Sequence, residues 1–108
     1  MKLVTKLEEI IMLAIWRLQD NAYGITIFEE VKRATGKKWL TGSVYASLSR
    51  LLRRELVCSD EGEPTPERGG RRKIYYGLTQ KGQKTLQDIR RINDVAWADL
   101  PAFDVDDE

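Results

Sequence analysis

The sequence predicts a mainly α-helical fold that carries one small β-hairpin. Its 108 residues fit a single domain, and contents of 42% hydrophobic and 32% charged residues are typical of an ordinary globular chain. Four segments show apolar residues at helical spacing, and two short strand-like segments flank a loop rich in glycine and proline. Together these observations predict the order helix, helix, helix, strand, strand, helix.

The first two helices have clear local signals. A helix is predicted over residues 5–19, where Thr5 and Glu8 fit a capping box. The apolar residues of this helix cover much of its circumference, so we expect it to contact more than one neighbour. A second helix is predicted over residues 25–35, and Gly36 is a natural stop for it.

The third helix is predicted over residues 42–55, with Thr41 or Ser43 as its N-cap. One face is apolar at the spacing i, i+4, i+7 and i+8, and it is formed by Val44, Leu48, Leu51 and Leu52. The opposite face, expected to be exposed, is formed by Ser43, Ala46, Ser47, Arg50, Arg53 and Arg54.

A hairpin and a last helix complete the order. Strands are predicted over residues 56–59 and 73–78, with an oversized loop over residues 61–70 between them. The last helix is predicted from Thr79, a good cap, to Leu100, because Pro101 stops it. We therefore predict a winged helix-turn-helix domain over residues 1–78, a long C-terminal helix over residues 79–100, and an acidic, disordered tail over residues 101–108.

Composition excludes several classes of function. The chain has no histidine and a single cysteine, Cys58, so neither a Cys–His nucleophile nor a structural zinc site is expected. The pair Gly69–Gly70 lacks the strand–loop–helix context of a phosphate-binding loop. We predict that the protein is not an enzyme and needs no metal or cofactor. No apolar run approaches membrane-spanning length and no export signal is visible, so a cytoplasmic location is expected.

The charges are distributed unevenly along the chain. The net charge is only +1, but residues 37–91 contain thirteen cations and six acids, a net of +7, whereas residues 92–108 contain six acids and no cation. A basic block in a near-neutral protein suggests an anionic partner that touches one part of the molecule. The alternative is a solvated basic face that the acidic tail balances.

The exposed face predicted for the third helix suits double-stranded DNA. A helix that enters the major groove needs small residues near its N-terminus, and Ser43, Ala46 and Ser47 are small. Arg50 would reach a guanine or a phosphate, and the last two arginines, Arg53 and Arg54, would meet backbone phosphates. Tyr45 has two interpretations, as a cap on the core or as a phosphate contact through its hydroxyl.

The predicted hairpin carries further cations. Gly69 and Gly70 permit a close backbone approach to a neighbouring molecule. Four cations surround these glycines, namely Arg68, Arg71, Arg72 and Lys73. Contacts of this kind with phosphates supply affinity rather than sequence choice. Because Glu61, Glu63 and Glu67 precede the glycine pair, only the second half of the loop is expected to approach DNA.

These motifs resemble the PadR-like transcriptional regulators. The similar segments are "LEEIIMLAIWRL", "YGITIFEEV", "TGSVYASLSRLLRRELV" and "EPTPERGGRRKIYYGLTQKG". The resemblance as a whole extends over residues 3–91. The resemblance implies a winged-helix homodimer that binds a pseudo-palindromic operator, usually as a repressor. It assigns Thr41, Ser43, Tyr45, Ala46, Ser47 and Arg50 to the recognition helix, and residues 68–73 to the wing.

The chain resembles the short type of this family, with a single helix after the wing. In that type the last helix packs on the partner's N-terminal and C-terminal helices. The implied dimer interface comprises Leu7, Ile11, Met12, Ile15, Leu86, Ile89, Ile92, Asn93, Ala96, Trp97 and Leu100. Some members of this type use a tryptophan of the last helix to bind flat hydrophobic effectors at the interface, so Trp97 is either an effector-binding residue or an anchor of the interface.

The charge distribution is also compatible with a second function. A winged-helix module can also serve as a protein–protein interaction domain, with its basic face turned toward an acidic partner. The acidic segment 104–108 is an example of such a ligand. Capture of partners from a cell lysate, compared with and without nuclease, separates the two functions.

Overall fold

The computed structural model describes residues 3–64 and 72–106 and confirms the predicted fold class. The helices are α1 (Lys6–Leu18), α2 (Gly24–Thr35), α3 (Thr41–Arg53) and α4 (Gln80–Trp97), with a short 3₁₀ turn at Gln19–Asn21. The strands β1 (Val57–Pro64) and β2 (Arg72–Leu78) form one antiparallel hairpin. Three helices followed by a hairpin form the winged helix-turn-helix, and α4 follows it.

The capping box of α1 is present as the sequence predicts. The Thr5 hydroxyl oxygen accepts a hydrogen bond from the Glu8 backbone N–H at 3.1 Å, and the Glu8 carboxylate accepts one from the Thr5 N–H at 2.8 Å. Two N–H groups that no helix carbonyl can reach are thereby satisfied. The exchange also fixes the Glu8 side chain at the start of the helix, where it is 3% exposed.

The core lies where α1 packs against α2, α3 and the base of the hairpin. Its central residues are Ile11, Met12, Ile15, Ile27, Val31, Val44, Leu48, Leu51 and Leu56. This arrangement corrects part of the predicted dimer interface. Ile11, Met12 and Ile15 are at most 1% exposed within the single chain, and Ile89 is 7% exposed. Because their side chains are covered by their own chain, they have almost no surface left for a partner.

In the turn between α2 and α3, the end of α2 agrees with the prediction but the N-cap of α3 does not. Gly36 closes α2 with φ 69°, the left-handed conformation that glycine adopts without strain. The Trp39 indole N–H donates to the Thr35 hydroxyl at 3.0 Å and ties the turn to α2. The predicted cap of α3 is wrong, since Leu40 occupies the N-cap position and makes no side-chain hydrogen bond there.

The hairpin is longer than predicted and is attached to the helical core. Pairing continues past the predicted first strand, because Glu61 faces Ile74 and Pro64 faces Arg72 after an irregularity in the register. The Tyr76 N–H donates to the carbonyl of Ala22 at 2.8 Å, so β2 also bonds to the segment before α2. These bonds hold the base of the wing beside the N-terminus of α2.

Helix α4 begins as predicted but ends three residues early, at Trp97. The Thr79 hydroxyl accepts a hydrogen bond from the Gly82 N–H at 2.9 Å, which makes Thr79 the N-cap. At the other end Asp99 has φ 59°, outside the helical region, so the chain turns before Pro101 is reached. The residues after Ile89 are mostly exposed, and the molecule is 56 Å long with a Cα radius of gyration of 16.2 Å. Since about 13 Å is typical of a compact domain of about 100 residues, the overall shape is elongated.

Gly82 allows α4 to pack directly on the backbone of Leu56. A Cβ atom at Gly82 would overlap the Leu56 carbonyl oxygen, which also accepts a hydrogen bond from the Thr79 N–H at 3.2 Å. We expect Gly82→Ala to lower the free energy of unfolding by about 1–3 kcal/mol, although alanine favours an exposed helix by about 1 kcal/mol over glycine. Urea denaturation measures the change. Gly42→Ala is the matched control, because a Cβ at Gly42 meets nothing within 4 Å; a stabilised Gly82→Ala protein would contradict the packing.

Candidate nucleic-acid interface

The exposed face of α3 is rotated from the face that the sequence predicts. The exposed residues of the helix include Thr41, Gly42, Tyr45, Ala46, Ser49, Arg50 and Arg53. Ser49 was missed, although its spacing of seven residues from Gly42 could have indicated it. The centre of the face consists of small residues, Ala46 and Ser49, and this allows a close approach to the edges of base pairs.

Ser47 is a correction to the predicted site. It is 0% exposed, and its hydroxyl oxygen accepts a hydrogen bond from Nη2 of Arg50 at 3.0 Å. A side chain in this position cannot touch a duplex that docks on the outside of α3. Ser43 is half-buried and Ala46 is exposed, so the predicted face is only partly available.

Arg50 bonds to α1. Its Nε donates to Oε2 of Glu8 at 2.9 Å, and the Arg50 side chain is 44% exposed whereas that of Glu8 is 4% exposed. Burial raises the pKa of Glu8, but the Thr5 backbone N–H and the Arg50 guanidinium together outweigh burial and hold the pKa below its ordinary value. The expected contact of Arg50 with a guanine or a phosphate stays a prediction, and in the single chain the guanidinium holds α3 against the N-terminus of α1.

The two arginines at the end of α3 differ in their surroundings. Arg54 is half-buried, and its Nη1 donates to the carbonyl of Leu3 at 3.4 Å. Arg53 is exposed and has no ion-pair partner among residues 3–64 and 72–106. Arg53 is consequently the arginine of α3 that is best placed to bind a phosphate.

The wing brings Lys73 to the same side of the domain as Tyr45. The Lys73 ammonium group lies 4.3 Å from the centroid of the Tyr23 ring, and that ring packs edge-on against Tyr75. Arg72 pairs loosely with Glu61 across the hairpin, at 3.6 Å. The other predicted wing residues, Arg68, Gly69, Gly70 and Arg71, lie outside the described residues.

A small cleft joins α2, α3 and the wing. It has a volume of about 90 Å³ and is lined by Tyr23, Gly24, Ile25, Tyr45, Lys73, Ile74 and Tyr76. Any side chain at position 24 would collide with the Tyr45 hydroxyl, so this hydroxyl lies directly against the start of α2. Burial raises the pKa of Tyr76, and the nearby Tyr45 raises it further. A hydroxyl, an ammonium group and the positive end of a helix dipole thus converge where a phosphate could bind.

Two exposed lysines were not assigned to the site from the sequence. Lys37 and Lys38 precede α3 in the turn, and the Lys37 ammonium group lies 4.3 Å from the centroid of the Trp39 ring.

Within the described ranges, 3–64 and 72–106, no group of three acidic, cysteine or histidine side chains could hold a metal ion. No helix in those ranges has both the length and the apolar character needed to cross a bilayer.

Comparison with known proteins agrees with this arrangement. Residues 12–88 match the model of the transcriptional regulator PadR-like family. The chain belongs to the PadR-like family. Among functionally curated proteins, none matches the sequence significantly. As a PadR-like transcriptional regulator the protein is a DNA-binding regulator, and α3 with its adjoining wing is the candidate interface.

Solved structures of PadR-like regulators are similar over most of this chain. A PadR-like transcription factor from Bacteroides fragilis has 29% identity and a TM-score of 0.65, covering 83% of this chain and 85% of its own. A PadR family regulator from a hypervirulent Clostridium difficile has 27% identity and a TM-score of 0.65, covering 84% and 94%. RosR from H. salinarum shares the fold, with 19% identity and a TM-score of 0.70, covering 91% and 81%.

Proposed function

We propose that this PadR-like regulator is a cytoplasmic homodimeric repressor that binds a pseudo-palindromic operator. The observation that carries the proposal is the convergence of Tyr45, Lys73 and the N-terminus of α2 beside the exposed face of α3. Arg53, which has no ion-pair partner in the described part of the chain, adds a cation to that face. Small residues at the centre of a helix face, with cations near its edges, favour a duplex as the ligand.

Homodimer formation is supported by the apolar surface that α4 leaves exposed. Val95 is 72% and Trp97 is 64% exposed, and Ile92 is 38% exposed. On α1, Leu13 and Trp16 are 47% and 49% exposed, and both line a groove between α1 and α4 of about 500 Å³. Apolar surface of this extent is typical of an interaction site. We therefore propose that α4 of a second copy packs here, with Leu7, Leu86, Asn93, Ala96 and Leu100 contributing at the edges.

Trp97 has a second proposed role as the binding site of a hydrophobic effector. Its indole ring packs edge-on against Phe103, with 6.0 Å between the ring centroids. The exposed indole could stack on a flat aromatic compound held between two α4 helices, or it could anchor the dimer without any effector. Fluorescence quenching by aromatic compounds, compared between the parent protein and Trp97→Phe, distinguishes these two roles.

Selection of bound fragments from a random duplex library tests the proposed function. We expect an enriched site with two-fold symmetry, whose half-sites lie roughly 34 Å apart, and a complex that contains two chains for each duplex. Ile92→Asp should reduce both dimer formation and binding, because it places a charge in the proposed interface. The matched control is Asp104→Asn in the exposed tail.

The protein–protein alternative is tested in parallel. Affinity capture from a lysate, with and without nuclease, shows whether the retained partners depend on DNA. Partners that persist after nuclease treatment, together with failure to enrich any duplex, would establish the interaction module and refute the DNA-binding repressor.

A further inference from the structure

Leu40 is an unusual residue for the position that it occupies. It is the N-cap of α3, makes no side-chain capping hydrogen bond, and is 77% exposed. Serine, threonine, aspartate and asparagine are strongly preferred at this position, because their side chains accept hydrogen bonds from the free backbone N–H groups of the first turn. Leu40 therefore makes no capping bond, and its side chain is available to a molecule that docks at the start of α3.

Ile25 is a second exposed apolar residue near the start of α3. It is 61% exposed at the start of α2, and together with Thr41 and Tyr45 it lines a second cleft, of about 240 Å³. Apart from Tyr45 and Ile74, the other exposed large apolar residues in the described part of the chain lie on or next to α1, on α4, or in the tail. Leu40 precedes Thr41 in the chain and Ile25 shares the second cleft with Thr41, so both neighbour the first residue of the recognition helix. We call this pair of residues the apolar patch.

The chemistry of the major groove suggests an occupant for this patch. A recognition helix of this class approaches base edges with its N-terminal residues. Thymine is distinguished there by its C5 methyl group, an apolar group to which aliphatic side chains can bind. The patch is continuous with the cleft that contains Tyr45 and Thr41, so an apolar group of the same duplex would meet it.

We propose that Leu40 and Ile25 contact thymine methyl groups in the major groove and so select thymine at fixed positions of each half-site. The proposal rests on the proposed DNA-binding function. It adds to that function the identity of the base, thymine, that this part of the interface recognises. The Tyr45 hydroxyl and the Lys73 ammonium group then bind the phosphate backbone of the DNA, while the apolar patch makes the binding specific for the base sequence.

Replacing thymine by deoxyuridine tests the proposal, because this change removes only the methyl group. Each thymine of the selected duplex is replaced in turn, and the dissociation constant is measured by fluorescence anisotropy. We expect about threefold to tenfold weaker binding at one or two positions in each half-site. The remaining thymines should show no change.

Two substitutions at Leu40 connect the effect to the patch. Leu40→Ser should raise the melting temperature, because serine caps the helix, and should abolish the difference between thymine and deoxyuridine at the position that Leu40 contacts. Leu40→Val should give an intermediate difference, since it retains part of the aliphatic side chain. Val105→Ala is the matched control: Val105 is 74% exposed but lies in the tail, so its removal should leave the difference unchanged.

The possible outcomes separate this proposal from the function on which it rests. If a duplex is selected but no thymine is sensitive to loss of its methyl group, the proposal is overturned while DNA binding stands. It is also overturned if Leu40→Ser weakens all duplexes equally, or if the substitution affects only binding to a protein partner. If no duplex is selected at all, the proposed function and this inference fail together.

Discussion

Replacing Glu8 by alanine is expected to lower the free energy of unfolding by about 2–4 kcal/mol. The Glu8 side chain is 4% exposed, and its carboxylate bonds to the Thr5 N–H and to the guanidinium of Arg50. The substitution leaves this N–H without its acceptor and removes the anion beside Arg50. Because the Arg50 side chain is 44% exposed and water can reach it, we expect less than the full cost of an isolated buried charge. Urea denaturation at neutral pH measures the loss.

Lowering the pH should remove the stabilisation by the Glu8 carboxylate from the parent protein. The pKa of Glu8 in the fold lies below its ordinary value of 4.5, so the stabilisation is fully present above that value and is lost as the pH falls through the folded-state pKa. The stability difference between parent and Glu8→Ala should therefore shrink on acidification. Glu9→Ala is the matched control in the same helical turn, since the Glu9 carboxylate forms a 3.6 Å pair with an exposed lysine, Lys6. Equal losses in the two variants would refute the role of Glu8.

Most features that depend on neighbouring residues were predicted well from the sequence, and the N-cap of α3 is the exception. The capping box of Thr5 and Glu8, the stop at Gly36 and the cap at Thr79 each require residues no more than four positions apart. Local backbone hydrogen bonding determines such signals, so they survive in almost any tertiary context. The fold class follows from them because they delimit the helices and leave the hairpin between α3 and α4.

The exposed face of α3 could not be predicted in the same way. Helical spacing alone allowed a face that includes Ser47 and Arg50. The structure buries Ser47 and pairs Arg50 with Glu8, a residue 42 positions earlier in the chain. A partner at that distance in the sequence decides which side of the helix turns inward. Leu40 was missed for a related reason, since its solvent exposure depends on how α2 and α3 pack.

The predicted dimer interface shows a second limit of pattern reasoning. An apolar stripe indicates that a surface is covered but does not indicate which chain covers it. Ile11, Met12 and Ile15 are covered by their own chain, whereas Leu13 and Trp16 remain about half exposed. The exposed pair lies partly off the apolar stripe of α1, so the sequence pattern selected residues of this helix that the fold itself covers.

The salt dependence of DNA binding is expected to be steep. If the dimer makes about 6–10 phosphate contacts, its affinity for the selected duplex should fall by about 10³–10⁵-fold between about 50 and 200 mM salt, because each neutralised phosphate releases counterions. Arg53 and Lys73 are the described cations to which we assign such contacts, on the exposed face of α3 and beside the cleft. Anisotropy titrations at several salt concentrations give the slope of log K against log salt.

Substitution of one cation at a time, followed by measurement of the slope of log K against log salt, shows which cations contact phosphates. In each subunit, Arg53→Ala or Lys73→Ala should reduce the magnitude of the slope by about one unit. The slope for a dimer, which carries the substitution twice, should therefore fall by about two units. Affinity should fall to a similar extent on matched and mismatched duplexes, since a phosphate contact carries no sequence information. Arg17→Ala is the control, because Arg17 lies on α1 and pairs with Glu30 at 3.3 Å. A flat salt response of the parent protein, or an equal change of slope for Arg17→Ala, would show that the duplex does not dock on α3 and the wing.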